Sequence, residues 1–505
     1  MMNIPDDLIH NLFEICEKVV ISAIKSIYDY RANNSYIPSY YEYPERFLKG
    51  IEKAEQYDEF KEQVPAFKYG IPFYIMHGYN SPKNYGELLS SEDGRFRINC
   101  HTLDGFDEFL TMLQANPNAQ SRFTDEANYL QSAIVSFVGN IANRYFYVAN
   151  NSSGDNIDRN LVCELILKQF IRLFYEKLNV NICVPICFIE FDSDTIDITD
   201  SISIRKMSED FQMSRFNACH FESTPESNIV QCANYMVHMS NYHINNEDID
   251  AVQNFAKNSW SYPVDVIDDL FAAIRIASGI KTGYGQLLIE PDSWADKWTG
   301  DLLPLYGANI VAFNRNEVKV KFLCYHIYRI ENSVISLIKT IFNEIRNKRE
   351  LIKKKQDPFS RVFVAIQRLN RCMLREADDD TALDAIIGIE ALLSGGTQGE
   401  ITYTISNRMS VVASRIQECP YSASDARKAM KKIYGLRSDI VHGRDTDKNS
   451  TIVINGTERS TKEIAIDFLR FCLLFIIQNQ KYLDVSEFEN ALDAAIDDLP
   501  VKRVK

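Results

Sequence analysis

From Cys324 onward, apolar residues recur at intervals of three and four, the period of a helix with one buried face. Val362, Ile366, Leu369 and Met373 predict a helix over 359–375. Leu383, Ile386, Ile387 and Leu393 predict another over 382–393, with Asp378, Asp380 and Thr381 placed to cap it. Ile405, Met409, Val412 and Ile416 mark 404–416, and Ala426, Met430, Ile433, Leu436 and Ile440 mark 425–442. Helices over 326–347 and 462–482 complete an expected bundle at 324–490. At the front, Leu8, Leu12, Ile15 and Val19 mark a helix over 6–28. Further helices are expected near 126–147 and 159–177, with short strands at 71–76 and 96–101. Between these regions the period changes to two. Residues 184–191 and 195–204 alternate and are rich in β-branched types, and 279–289 and 310–322 read as further strands. The expected class is therefore α+β and predominantly α. Four regions follow: a largely helical 1–179, a mixed α/β module at 180–323, the bundle at 324–490, and a tail at 491–505 that is acidic, then basic.

Three charged residues interrupt the apolar stripes. Glu390 and Arg408 fall where helical spacing calls for an apolar side chain, and Arg437 lies at the border of its stripe. An unpaired buried charge is costly, so these groups must meet each other, water or a ligand. One reading is an interior Glu390–Arg408 pair that fixes helix order. The other, compatible with it, is a polar cleft in which Glu390 and Arg408 orient Arg437 while Arg437 and His442 face a substrate.

The heptapeptide Arg437-Ser438-Asp439-Ile440-Val441-His442-Gly443 carries the candidate chemistry. Cleaving a phosphodiester without a metal needs a group that titrates near neutrality and a fixed cation for the phosphate. Arg437 and His442 are those two residue types. Five positions apart on an ideal helix, they point about 140° away from each other. Gly443 is a natural residue just past a helix end, which puts His442 in a distorted last turn. A helix C-terminus favours a charged imidazole, the form that donates a proton to a leaving oxygen.

The net charge of −14 argues against a protein that coats nucleic acid unspecifically. A local basic stretch remains: between Arg346 and Arg375 only Glu350 and Asp357 offset the lysines and arginines. Within it Arg361, Arg368, Arg371 and Arg375 form a stripe, either a solvated face or the RNA-binding edge of a groove that tracks phosphates. The 11 cysteines form no CxxC pair. Cys183 with Cys187, Cys219 with His220, and the aspartates at 378–380 are each a weak metal motif. They read better as buried thiols and helix-start acids, so no metal and no cofactor is expected. The acidic N-terminal segment lacks the pattern of a signal peptide, and the most apolar stretch, 468–477, contains Arg470 and is too short to span a bilayer. A cytoplasmic protein without membrane partners is expected.

Three segments together resemble a known family. LDAIIGIEALLSGG (383–396), ITYTISNRMSVVASRI (401–416) and KKIYGLRSDIVHG (431–443) are similar in order and spacing to the Apea-like branch of the HEPN superfamily. The likeness covers roughly 360–485 and rests on Glu390, Arg408, Tyr434, Arg437 and His442. More loosely, PICFIEFDSDTIDITDSISIRKMS looks like the segment that precedes this domain in many large prokaryotic members. The chain departs from many members in carrying Ser438, then Asp439, directly after the motif arginine. The resemblance implies a four- to five-helix bundle that forms a homodimer, with the paired motifs facing one cleft. It further implies a metal-independent endoribonuclease of bacterial anti-phage or toxin systems that cuts single-stranded RNA or tRNA loops. Arg437 would hold the scissile phosphate and His442 would move protons, with Glu390, Arg408, Tyr434, Ser438 and Asp439 in support. The product would be a cyclic phosphate. A phage-derived trigger or an antitoxin is the implied partner, and residues 1–323 would sense or restrain. The alternatives are a silent scaffold or sensor that binds a protein or nucleotide, and the toxin of a toxin–antitoxin pair.

Overall fold

The computed structural model describes residues 4–41, 43–46, 74–75, 81–94, 96–149, 156–218, 232–314, 318–319, 324–325, 327–352, 357–375, 377–395, 401–416, 419–454 and 456–497. The chain is α+β and predominantly α, as expected. It divides into two compact units, each drawing on separated stretches of sequence. The first holds Met1–Ile186, Asp194–Tyr262 and Gly285–Val311; the second holds Cys187–Ser193, Pro263–Tyr284 and Ala312–Lys505. The stretch 180–323, read from sequence as a module of its own, is thus shared between the units. Local pattern marks its elements but not the pairing that assigns them.

In the first unit, α1 (Asp6–Asn33) buries Leu12, Ile15, Val19, Ala23, Ile24 and Ile27 at helical spacing. α2 (Phe106–Gln114), α3 (Leu130–Val148) and α4 (Arg159–Phe174) pack against that face. Asp158 caps α4, its side chain accepting from the Leu161 amide at 3.1 Å. The sheet contains β1 (Lys177–Ile186), β2 (Thr195–Asp197), β3 (Ile202–Lys206), β4 (Tyr235–Asn245), β5 (Tyr284–Pro291) and β6 (Tyr306–Ala312). Their order is β6-β5-β1-β4-β3-β2, and β1 lies antiparallel to both β4 and β5. α5 (Glu209–Ala218) and α6 (Ala251–Lys257) join this unit. The strand expected over 195–204 is two strands, because Thr199 Oγ1 accepts from the amides of Ser201 and Ile202 and turns the chain. Of the short strands, only Ile98–Asn99 and Tyr74–Ile75 form; the rest of 71–76 lies outside the described residues. Most of 151–156, whose Asn, Ser, Gly and Asp residues read as a loop between two helices, together with Cys219 and His220, also lies outside them.

In the second unit, α7 (Val264–Ser278), α8 (Asn332–Leu351), α9 (Ser360–Leu374), α10 (Asp378–Leu393), α11 (Ile401–Arg415), α12 (Ala423–Val441), α13 (Thr461–Gln478) and α14 (Ser486–Asp497) form the bundle. α13 is apolar around most of its circumference and packs against α7, α9, α10, α11 and α12, which makes it the central helix. A hairpin, β7 (Thr451–Ile454) and β8 (Thr457–Ser460), links α12 to α13. Phe188 lies at φ +68, which ends the strand expected over 184–191; Ile189–Phe191 pairs instead with Tyr328–Ile330. That pairing delays the helix expected from 326, so α8 starts at Asn332. α10 starts a turn earlier than expected, at Asp378. Asp380 therefore lies inside the helix and pairs with Arg375 at 3.1 Å, and Thr381 donates to the Ala377 carbonyl at 2.7 Å. Asp269 of α7 is fully buried. It accepts from Arg349 at 2.6 and 2.7 Å and from Arg346 at 3.1 Å, fastening α7 to α8. Among the described residues, no helix is long and apolar enough to cross a membrane.

Candidate functional site

α12 positions the heptapeptide. Ser422 caps its start by accepting from the Asp425 amide, and Ala426, Ala429, Met430, Ile433 and Leu436 are buried along one face. The far end closes as the C-terminal motif that Gly443 calls for. Gly443 lies at φ +62, its amide donates to the Ile440 carbonyl, and the Arg444 amide donates to the Asp439 carbonyl at 2.8 Å. His442 is the capping residue, exposed, with its own amide donating to the Ser438 carbonyl at 3.1 Å. Its ring therefore stands at the carbonyl-rich end of the helix, while its backbone closes that end.

Earlier on the same helix, Tyr434 donates a 2.8 Å hydrogen bond to Glu390 Oε1, and Arg437 Nε lies 3.4 Å from the same oxygen. Burial, and next the charge of Glu390, push Tyr434 well above the ordinary tyrosine range, so it stays a hydroxyl donor. The Arg437 side chain is 40% exposed and the Glu390 side chain 24%. Glu390 thus orients the guanidinium while leaving part of it open to a ligand. Tyr434→Phe removes the donor that holds Glu390 and should cost the second unit about 1–3 kcal/mol, read as a lower midpoint in urea unfolding. Asp439 accepts from Asn449 Nδ2 at 2.6 Å, and Asn449 lies so close to Gly435 that a side chain there would meet its amide at 3.0 Å. Asp439 is therefore tied to the segment after the helix. Ser438 is half-buried and supplies the carbonyl under His442.

Arg408 does not join this group, and the interior Glu390–Arg408 pair is not formed. Arg408 is buried and donates to Glu489 of α14 at 2.9 and 3.0 Å, and to the Leu393 and Ser394 carbonyls at 2.6 and 3.1 Å. It neutralises the C-terminal end of α10 and locks α14 onto α11. The periodicity shows that a charge is buried there; its partner lies too far along the chain for spacing to reveal.

The arginine stripe is likewise mostly internal. Arg368 donates to Asp384 at 2.5 Å and Arg375 Nε lies 3.1 Å from the other oxygen of the same buried carboxylate. Arg361 donates to the Leu483 carbonyl. Arg371 alone of the four is exposed with no ion pair among the described residues. The stripe is thus chiefly an interhelical clamp, because Arg368 and Arg375 are seven apart and reach one acid on the next helix. In the first unit, a cavity of about 850 Å³ is lined by Arg122, Gln169, Arg172 and Trp298, among others. Periodicity and motif reading gave no sign of it. No protein-family model matches this chain, and no curated protein or solved structure matches it either.

Proposed function

We propose that the chain is a metal-independent endoribonuclease that acts through Arg437 and His442. The observation that carries this reading is the half-exposed Arg437, oriented by the Glu390–Tyr434 pair on the helix that ends in an exposed histidine. Arg437 would bind the scissile phosphate and stabilise its developing charge. The RNA 2′-oxygen would attack phosphorus and the bond to the 5′-oxygen would break, leaving a 2′,3′-cyclic phosphate and a 5′-hydroxyl. One imidazole would take the 2′ proton and another would protonate the 5′-oxygen. Two histidines imply two copies of the chain, and Val441, 57% exposed beside His442, offers apolar surface for that contact. In-line attack needs a pliable backbone, so single-stranded RNA and tRNA loops are the fitting substrates. In this reading the protein is a cytoplasmic agent of anti-phage defence, and its first unit senses the trigger or selects the RNA.

One observation favours a second reading. Arg437 already has an anionic partner in Glu390, as it would in a silent scaffold that binds a protein or nucleotide. Expression of the intact chain and of His442→Ala in a bacterial host, with and without phage, separates the two. Histidine-dependent RNA ends bearing cyclic phosphate support the nuclease. Equal protection by both forms, without new ends, supports the scaffold. Relief of growth inhibition by a neighbouring gene product would identify a toxin with an antitoxin.

A further inference from the structure

The register of the first unit's sheet gathers three metal-ligating side chains on one face. Cys183 of β1 lies opposite His238 of β4 on one side and opposite Leu288 of β5 on the other. Glu290 is two residues past Leu288 and so shares its face. One sulfur, one ring nitrogen and one carboxylate oxygen from these residues all lie within 4.8 Å of one another, and His238 Nε2 is 3.9 Å from Glu290 Oε2.

Cys183 packs with Met207, Phe211, Ala233, Met236, Leu288 and Leu305, an apolar wall that keeps water from the sulfur. Burial raises the Cys183 thiol, lowers His238 to about 4 and raises Glu290, each shift opposing the charged form. Three ionisable groups are thus brought together, Cys183 and His238 buried and Glu290 partly so, with a 3.4 Å hydrogen bond from Asn181 on the Glu290 carboxylate. A bound cation reverses that balance, because thiolate, neutral imidazole and carboxylate are the forms it stabilises.

We propose that Cys183, His238 and Glu290 form a Zn2+ site with an exchangeable fourth position on the Glu290 side. One sulfur, one nitrogen and one oxygen make a mixed, borderline-soft donor set that suits zinc, and three protein ligands leave a tetrahedral ion one open position. Bonds of about 2.0–2.3 Å draw the donor atoms closer than they stand here. Glu290, with its side chain 32% exposed, has the freedom to rotate inward and the opening through which an ion enters. Arg205 acts on Cys183, His238 and Glu290 from nearby, but it is exposed, with its Nε donating to Ser203 Oγ, and can swing away. The ion would staple β4, β1 and β5. Cys187, the thiol that sequence spacing pairs with Cys183, takes no part; the other ligands come from strands far along the chain.

The test is titration of the purified full chain, first stripped with a chelator, with Zn2+ and with Co2+ as a spectroscopic probe. The expected result is one tight equivalent and a thiolate-to-cobalt charge-transfer band. Cys183→Ser should abolish that band. Glu290→Gln, at a partly exposed position, should weaken binding beyond the roughly 10–100-fold typical of losing an outer-shell partner, with unchanged circular dichroism. Absence of a tight equivalent, a cobalt complex without the thiolate band, or wild-type affinity in Glu290→Gln would each overturn the proposal. If Cys183→Ser does not fold, the intact protein's band and the Glu290→Gln affinity still decide it.

Discussion

If the proposed nuclease reading holds, His442→Ala is expected to lower RNA cleavage by about 10²–10⁴-fold, the usual contribution of a positioned acid or base, and to leave unfolding unchanged. The second half of that expectation follows from the helix end. The amides of His442, Gly443 and Arg444 close α12, and alanine supplies the first of these equally well. The ring itself is exposed and makes no hydrogen bond or ion pair among the described residues. Arg437→Ala should cost about 10²–10³-fold by analogy with loss of an oxyanion donor. Lysine at 437 should not restore the rate, since a point charge cannot reproduce the planar fork that Glu390 orients. Single-turnover cleavage of a short oligoribonucleotide measures all three. The same strand with deoxyribose at the cut site should survive intact, because the attacking hydroxyl is missing. Wild-type rates in His442→Ala would remove the catalytic reading.

Asp269→Ala is expected to have the largest effect on stability, about 3–5 kcal/mol, because it strands the Arg349 guanidinium beside an empty buried position and leaves Arg346 with Asp265 alone, at 2.9 Å. Arg346 and Arg349 both converge on that carboxylate, with Arg349 gripping it through two nitrogens. Asn at 269 should recover part of the loss, keeping an acceptor but not the charge. Urea unfolding read by circular dichroism gives the difference directly. A shift no larger than that of a surface pair, below about 1 kcal/mol, would mean that solvent reaches the three side chains. The same pairing removes two cations from the basic run that precedes α9, leaving less of that run to meet RNA than the charge pattern suggests.

The helices of the second unit were readable because each buries one stripe. α9, α11 and α12 begin and end within a few residues of where Val362–Met373, Ile405–Ile416 and Ala426–Ile440 place them. β4 was not readable: its first half is buried on both faces, so alternation vanishes, and His238, Asn241 and His243 make its composition unlike a strand. α7 escaped for a related reason, with Asp269 and Arg275 buried where a stripe should be apolar. In the candidate site, spacing showed that Glu390 and Arg408 are charges in buried positions. It could not show that Glu390 faces Tyr434 and Arg437 while Arg408 faces Glu489, since those partners depend on how helices turn toward one another. The triad of Cys183, His238 and Glu290 was invisible for the same cause, arising from strand register alone.

The strand order also bears on how the chain is made. β1 is flanked by β4 and β5, and β5 leaves the ribosome about a hundred residues after β1, a delay of roughly 5–20 s at ordinary rates of synthesis. Throughout that interval one side of Val180, Asn181, Ile182 and Cys183 lacks its β5 partners and presents unpaired backbone groups, a template for joining another nascent chain. Chains translated side by side on one message should therefore be prone to tangle through β1, and slower translation between β4 and β5 should lower the yield of folded protein.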